Sequence, residues 1–262
     1  MIKIKAYIHE FWRYRDLRRL LVEKNVKLKY RRSFLGYLWS ILNPLLIMLV
    51  MTVVFSKMFS RNIDNYPVYL FCGQLLFNFM RNSTDRAISS ISISGAMLKK
   101  CYLPKYIFTL ATIDGSLIDL IFSMGALLVV MIATGARFTL WLLLIPVTLA
   151  QLYVFCLGLG LFLAQANVFF RDMHFIYNAV TTAWLYLTPI FYPIESLSEK
   201  ISWLIRHFNP MYFYIEQFRS MVYKGTAPSL VLIAAGTGAA VLMLLVGILS
   251  FYKTKDRFIL YI

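Results

Sequence analysis

An all-α fold that crosses a membrane six times is predicted by three features of the sequence. Apolar residues make up 60% of the chain and charged residues 15%, with a mean hydropathy of +0.68. A soluble domain of 262 residues with that balance has too little polar surface to cover its core. Six apolar runs approach the roughly 20 residues that cross the hydrocarbon layer as a helix. Lys and Arg are unevenly shared between the segments that join those runs, which orients the chain.

Residues 1–36 come first. They hold eleven Lys/Arg against Glu10, Asp16 and Glu23, which is +8 of the total +15. Beside a charge-free apolar run, such a cluster points to an anionic lipid surface rather than to nucleic acid. Leu17, Leu20, Leu21 and Leu28 recur at helical spacing, with Arg18, Arg19, Lys27 and Lys29 away from that stripe. Lys24 interrupts it, but a lysine stem can snorkel. The pattern predicts an amphipathic helix lying in the inner headgroup region. The first apolar run begins near residue 37, too far along for a cleavable signal, so it is expected to insert and stay. The chain thus divides into an interfacial segment, 1–36, and a six-span domain, 37–262.

The spans are expected at 37–56, 66–80, 106–136, 138–170, 175–194 and 227–252. The second is the shortest and is bounded by Arg81. The third carries Asp114 and Asp119 and no Lys or Arg. With the N-terminus inside, cytoplasmic segments hold 20 Lys/Arg and outer segments 7, so both termini are expected in the cytoplasm. The sixth run is rich in small residues, Ala234, Ala235, Gly236, Gly238, Ala239 and Ala240, which allow close helix packing. Residues 195–226 fall on the outer side. There Asn209-Pro210 reads as a helix cap followed by proline at the first helical position. The stretch from Met211 to Tyr223 is too apolar for a free loop, and too short and charged (Glu216, Arg219) to cross. Outer re-entrant or interfacial helices between spans five and six fit it best.

Enzyme signatures are missing from the sequence. There is no GxxxxGK[ST] loop, no HExxH and no GxSxG. His9, His174 and His207 are scattered, and Cys72, Cys101 and Cys156 show no metal or disulfide spacing. A carboxylate inside a span costs roughly 2.5–3.5 kcal/mol on insertion scales, so Asp114 and Asp119 need an explanation. They lie about 140° apart around a helix and so on different faces. With no Lys or Arg inside the other spans, they are expected to meet polar groups of neighbouring helices or lie near an interface. Trp184 and Tyr186 lie well inside the predicted fifth span, and Trp39 just within the first. Aromatic faces there suit the C–H faces of sugar rings, beside the ordinary interfacial role of Tyr and Trp.

Four stretches carry a resemblance. Lys29-Tyr30-Arg31-Arg32-Ser33-Phe34-Leu35-Gly36-Tyr37-Leu38-Trp39, followed by Asn43-Pro44-Leu45, resembles the lead into the first span of permease subunits of bacterial polysaccharide, O-antigen and teichoic-acid ABC exporters. Ser94-Gly95-Ala96-Met97-Leu98-Lys99-Lys100 with Leu103-Pro104-Lys105 is similar to that family's first cytoplasmic loop. Asn167-Val168-Phe169-Phe170-Arg171-Asp172 is similar to its second. Thr188-Pro189-Ile190-Phe191-Tyr192-Pro193 with Phe208-Asn209-Pro210 is similar to its outer region. Cys101-Tyr102 departs from the pattern in being less basic.

The resemblance implies an inner-membrane homodimer clamped by two separate ATPase subunits, which would bind ATP and Mg, and no cofactor on this chain. It implies ATPase coupling through Leu98, Lys99, Lys100, Leu103, Pro104 and Lys105, and a glycan path lined by Tyr37, Trp39, Trp184 and Tyr186. A basic interfacial helix can also attract the pyrophosphate of a lipid-linked glycan, which makes Arg31 and Arg32 headgroup candidates. Three other readings compete. They are an ABC permease for a drug or other small substrate, a membrane glycosyl- or acyltransferase, and a proton-coupled carrier using Asp114 and Asp119.

Overall fold

The computed structural model describes residues 12–30, 36–59, 63–101, 103–254 and 258, with backbone only at 28–30, 37 and 56–59. Every regular element among them is helical. In chain order these are α1 (Arg15–Tyr30), a 3-10 turn (Gly36–Leu38), α2 (Trp39–Phe59), α3 (Tyr66–Ile88), α4 (Ser90–Ile93), α5 (Gly95–Lys100) and α6 (Tyr106–Ala133). A 3-10 turn (Leu140–Leu144) leads into α7 (Ile145–Phe169), followed by α8 (Met173–Leu187) and a 3-10 turn (Ile194–Ser196). Last come α9 (Glu199–Phe208), α10 (Pro210–Val222) and α11 (Leu230–Thr254). Among the described residues, three helical stretches are long and apolar enough to cross a membrane: Tyr106–Ala133, Leu140–Phe169 and Leu230–Thr254. Trp39–Phe55 of α2 is a shorter apolar helix.

The centre of the bundle is α3. Residues 68–77 are buried without a break, including Gln74, and α2, α6, α7, α8 and α10 pack around the helix. A helix covered by protein over most of its length does not need a lipid-facing stripe, which is why α3 accommodates Gln74, Ser83 and Thr84. It runs to Ile88, well past the boundary expected at Arg81, because nothing from Arg81 to Arg86 breaks a helix.

Two other ends have clear causes. Helix α6 closes on Gly135, which takes a left-handed φ of +68°, while Ala136 N–H donates to the Met131 carbonyl at 2.9 Å. This is the glycine-terminated cap that satisfies a helix's last carbonyls. Helix α8 stops at Leu187, short of the run expected to reach residue 194. Pro189 cannot donate to the ladder and pushes Thr188 into extended backbone (ψ 130°).

Helices α7 and α11 make the closest pairing. A Cβ on Gly158 would land on the backbone of Met243 and Leu244, and one on Gly247 on the backbone of Gly158. Backbone meets backbone there, which is how helices associate without a hydrophobic driving force between them. The small-residue run at 234–240 contributes through Ala240, which is buried, and Gly236, which abuts Gln217, Gln151 and Tyr214; Gly238 faces open space.

Candidate functional site

Three regions carry the chemistry. In the first, α1 lies against α6. Leu21 is buried, and Tyr14, Leu17 and Val22 pack with it on Ile107, Phe108 and Ala111. Leu20, expected on the same stripe, is 63% exposed instead. One helix face cannot satisfy both α6 and a lipid surface, and Leu17 and Leu21 take the protein side.

The aspartates of α6 find their partners here, a polar group of a neighbouring helix as expected and, beyond that expectation, two cations. Arg18 Nε sits 2.7 Å from Asp114 Oδ2, and Tyr153 Oη donates to Asp114 Oδ1 at 2.7 Å. Arg86 pairs with Asp119 at 3.1 Å. The cations come from α1 and from the extension of α3, both outside the expected spans, so inspection of the other spans could not find them. Asp114→Asn is expected to weaken the anchoring of α1 by about 1–2 kcal/mol. That is less than the roughly 3–5 kcal/mol for breaking a fully buried pair, because Arg18 is 37% exposed. Limited trypsin digestion checks it: cleavage within α1 should quicken about tenfold in the variant while the rest of the chain resists.

Beneath α1 lies a cavity of about 490 Å³, lined by Lys24, Asn25, Arg86, Ser90, Thr112 and Asp119 among others. Arg31 and Arg32 lie outside the described residues, as does the side chain of Tyr37.

The second region is the excursion between α3 and α6. Leu98, Lys99, Lys100, Leu103, Pro104 and Lys105 fall together on it, at α5 and just after it. Lys99 and Lys100 are exposed. Leu98 and Leu103 turn in against the cluster of Leu21 and Phe108, and the Lys105 ammonium lies 5.2 Å from the Phe258 ring centroid. The exposed apolar groups of this tip are Ile93 (78%) and Met97 (38%), which sequence reasoning missed. Their spacing of four from each other was the available signal.

The third region lies where α8 breaks. Helix α8 turns Tyr177, Thr181, Trp184 and Thr188 toward the bundle and leaves Phe175, Val180 and Tyr186 exposed. Trp184 and Tyr186 are two residues apart, about 200° around the helix, and do not share a face. The Trp184 ring meets Phe77 and Phe155 edge-on, and its Nε1 donates to Asn209 Oδ1 at 2.9 Å. Asn209 also accepts from Met211 N–H at 3.1 Å and donates to Thr188 Oγ1 at 3.0 Å. The expected cap at Asn209-Pro210 is present, and it ties the start of α10 to the end of α8.

Helix α10 is enclosed by protein: eleven of its thirteen residues are buried. Arg219, whose charge argued only against a crossing helix here, is 2% exposed. Its guanidinium donates to the carbonyls of Pro189 (2.7 Å), Ile190 (3.0 Å) and Tyr69 (3.3 Å) and stacks 3.5 Å from the Tyr69 ring centroid. Glu216 pairs instead with Lys224. Across the bundle, Gln151 donates to Thr237 Oγ1 and the Ile233 carbonyl, and Gln217 to the Leu232 carbonyl, joining α7 and α10 to α11.

Residues 17–223, from α1 through the residue after α10, match the family described as ABC-2 type transporter. The chain belongs to the ABC-2 type transporter family. Its relatives span nearly its whole length. The O-antigen export system permease protein RfbA of Myxococcus xanthus is 30% identical, over 96% of this chain and 97% of the relative. The protein of the same name in Klebsiella pneumoniae is 28% identical, over 93% of each. The polysialic acid transport protein KpsM of Escherichia coli is 22% identical, over 89% of this chain and 91% of the relative. The three regions described above all lie inside the part that matches the ABC-2 family, apart from Tyr14, Lys224, Phe258 and the α11 partners of the two glutamines.

Proposed function

We infer that this chain is the membrane-spanning subunit of an ATP-driven exporter that moves a lipid-linked polysaccharide outward across the cytoplasmic membrane. The observation that carries the reading is end-to-end similarity to O-antigen export permeases, with 96% of this chain and 97% of the relative aligned. O-antigen, capsule and teichoic acid are the glycan classes in view. The sequence has no P-loop, so ATP hydrolysis belongs to a separate chain. Two permeases and two ATPases form the working complex, with six spans per permease, both termini cytoplasmic and α9–α10 re-entrant on the outer side. The apolar faces that α2 (Leu46, Leu49, Val53) and α8 (Val180, Leu187) leave exposed suit a second copy across the glycan path. In that path Tyr37, Trp39, Trp184 and Tyr186 offer aromatic surface, and Arg31 and Arg32 attract the lipid pyrophosphate at its inner mouth.

The exposed tip around α5 is the ATPase docking surface. Lys99 and Lys100 give it charge, and Ile93 and Met97 give it an apolar centre; Leu98, Leu103, Pro104 and Lys105 hold the tip in place from behind. Lys99→Glu/Lys100→Glu is expected to weaken ATPase binding by about a hundredfold, because reversing charge across a matched interface costs several kcal/mol. Co-purification with the ATPase encoded beside this chain tests it. Wild type should elute as a two-plus-two complex, and the double variant as a permease without ATPase. An ATPase that never associates with wild type sinks the exporter reading.

A further inference from the structure

A second cavity, also of about 490 Å³, opens between α2, α3 and α6. Each helix contributes polar groups at helical spacing: Trp39 and Asn43 on α2, Asn78 and Asn82 on α3, Asp119 and Ser123 on α6. The volume is in the range of small-molecule sites, roughly 300–1,000 Å³.

Two properties of this groove are unlike those of a lipid-facing crevice. Where neighbouring helices leave α3 uncovered along the groove, its surface is polar, with Asn78 half-buried and Asn82 exposed beside Arg81, Asp85 and Arg86. A lipid-facing helix would carry Leu or Ile there. Among the described residues, the carboxamides of Asn43, Asn78 and Asn82 form no hydrogen bond with the protein. Each therefore brings two donors and a carbonyl acceptor to whatever fills the groove.

The groove is also electrically neutral. Among the described residues that line it, Asp119 is the one carboxylate, and it is paired with Arg86 at 3.1 Å. Neutral donors and acceptors in alternation, with the 42% exposed indole of Trp39 at the edge, match vicinal hydroxyls and the C–H face of a sugar ring. They do not match a carboxylate or a phosphate.

We propose that the groove between α2, α3 and α6 binds an uncharged sugar residue of the exported glycan, with Asn43, Asn78 and Asn82 reading its hydroxyls and Trp39 stacking on its ring. The inference rests on the glycan-exporter reading and adds to it a site and a chemical class.

The test uses the full chain in its host. Asn43→Cys and Asn82→Cys, made singly in a Cys101→Ser background, are reacted with the membrane-impermeant thiol reagent methanethiosulfonate ethylsulfonate in inside-out membrane vesicles. Vesicles come from cells making the glycan and from cells whose glycan synthesis is blocked at its first glycosyl transfer. Labelling is expected to be about tenfold slower where the glycan is present. In parallel, Asn78→Leu/Asn82→Leu should lower surface glycan about tenfold while still co-purifying with the ATPase. That is the effect of losing two hydrogen bonds of about 0.5–1.5 kcal/mol each. Leu230→Ala, exposed at the start of α11 away from the groove, should export normally. Equal labelling in the two kinds of vesicle, with normal export by the leucine variant, overturns the groove and leaves the exporter reading standing. If the leucine variant does not assemble, the labelling rates decide alone. A deletion strain that keeps its full surface glycan overturns the exporter reading itself.

Discussion

Arg219→Leu is expected to remove the folded protein from the membrane fraction, at a cost of about 4 kcal/mol or more. The guanidinium is buried and donates to three carbonyls, of which those of Pro189 and Ile190 lie outside any helix. A charge-assisted hydrogen bond contributes about 1.5–3 kcal/mol, and a buried carbonyl left without its donor costs a further ~1–3 kcal/mol. Leucine also loses the stacking on Tyr69. Arg219→Lys should fall between wild type and leucine. It keeps the charge, but one ammonium cannot reproduce a planar fork aimed at carbonyls on two separate segments. Yield of monodisperse protein in detergent and the midpoint of thermal unfolding rank the three. A leucine variant that unfolds at the wild-type midpoint would show that the carbonyls of Pro189 and Ile190 do not depend on this residue.

The consequence for transport follows from what Arg219 joins. Its three acceptors are on α3 and on the broken end of α8, while the residue itself is on α10. The Asn209 cap makes a second tie between α10 and the end of α8. Polar groups freed by a broken helix at membrane depth are tolerated when protein satisfies them. Here Arg219 does so for Pro189 and Ile190, and the hydroxyls of Tyr66 and Tyr69 do so for Phe191 and Tyr192, which leaves the 188–193 segment held largely by side chains rather than by a backbone ladder. A segment held in that way can change conformation by exchanging a few hydrogen bonds.

Much of this is legible in the sequence because it depends on local pattern. Apolar runs locate α2, α6, α11 and α7 with its leading 3-10 turn to within a few residues, since composition alone decides which segments are apolar enough to cross. The Asn209-Pro210 cap is readable for a similar reason: capping is a property of adjacent residues. The surroundings of individual charges are not readable in this way. Pattern alone puts Arg219 in an outer re-entrant or interfacial segment and identifies no cation for Asp114 or Asp119, because the partners of all three are distant in sequence and only the fold brings them together. A hint exists at 188–193. Two prolines in a predicted span free carbonyls that require a donor, and Arg219 is the isolated cation in the next apolar helix. The groove of Asn43, Asn78 and Asn82 offers no comparable hint, since it is assembled from different helices and each member alone reads as a tolerated polar residue.

Gly247→Val is the second substitution expected to be severe, for the opposite physical reason. The substitution itself removes no polar group; the helices can no longer meet. A Cβ at 247 would occupy the space of the Gly158 backbone, so neither a rotamer change nor a side-chain shift relieves it, and α11 must move off α7. Overpacking in a soluble core costs typically about 1–3 kcal/mol when side chains can give way, and more is expected when backbone is the obstacle. Displacing α11 also breaks the bonds from Gln151 and Gln217 to Thr237, Ile233 and Leu232, which depend on the same approach. Gly158→Val meets the facing backbone of Met243 and Leu244 and should be as damaging. Gly238→Val, on the same helix as Gly247, meets open space and should be tolerated. The measurement is the fraction of each variant that survives extraction as a monodisperse species, followed by its unfolding midpoint. If Gly247→Val and Gly238→Val behave alike, α7 and α11 are not in backbone contact, and the packing that places the two glutamines has to be redrawn.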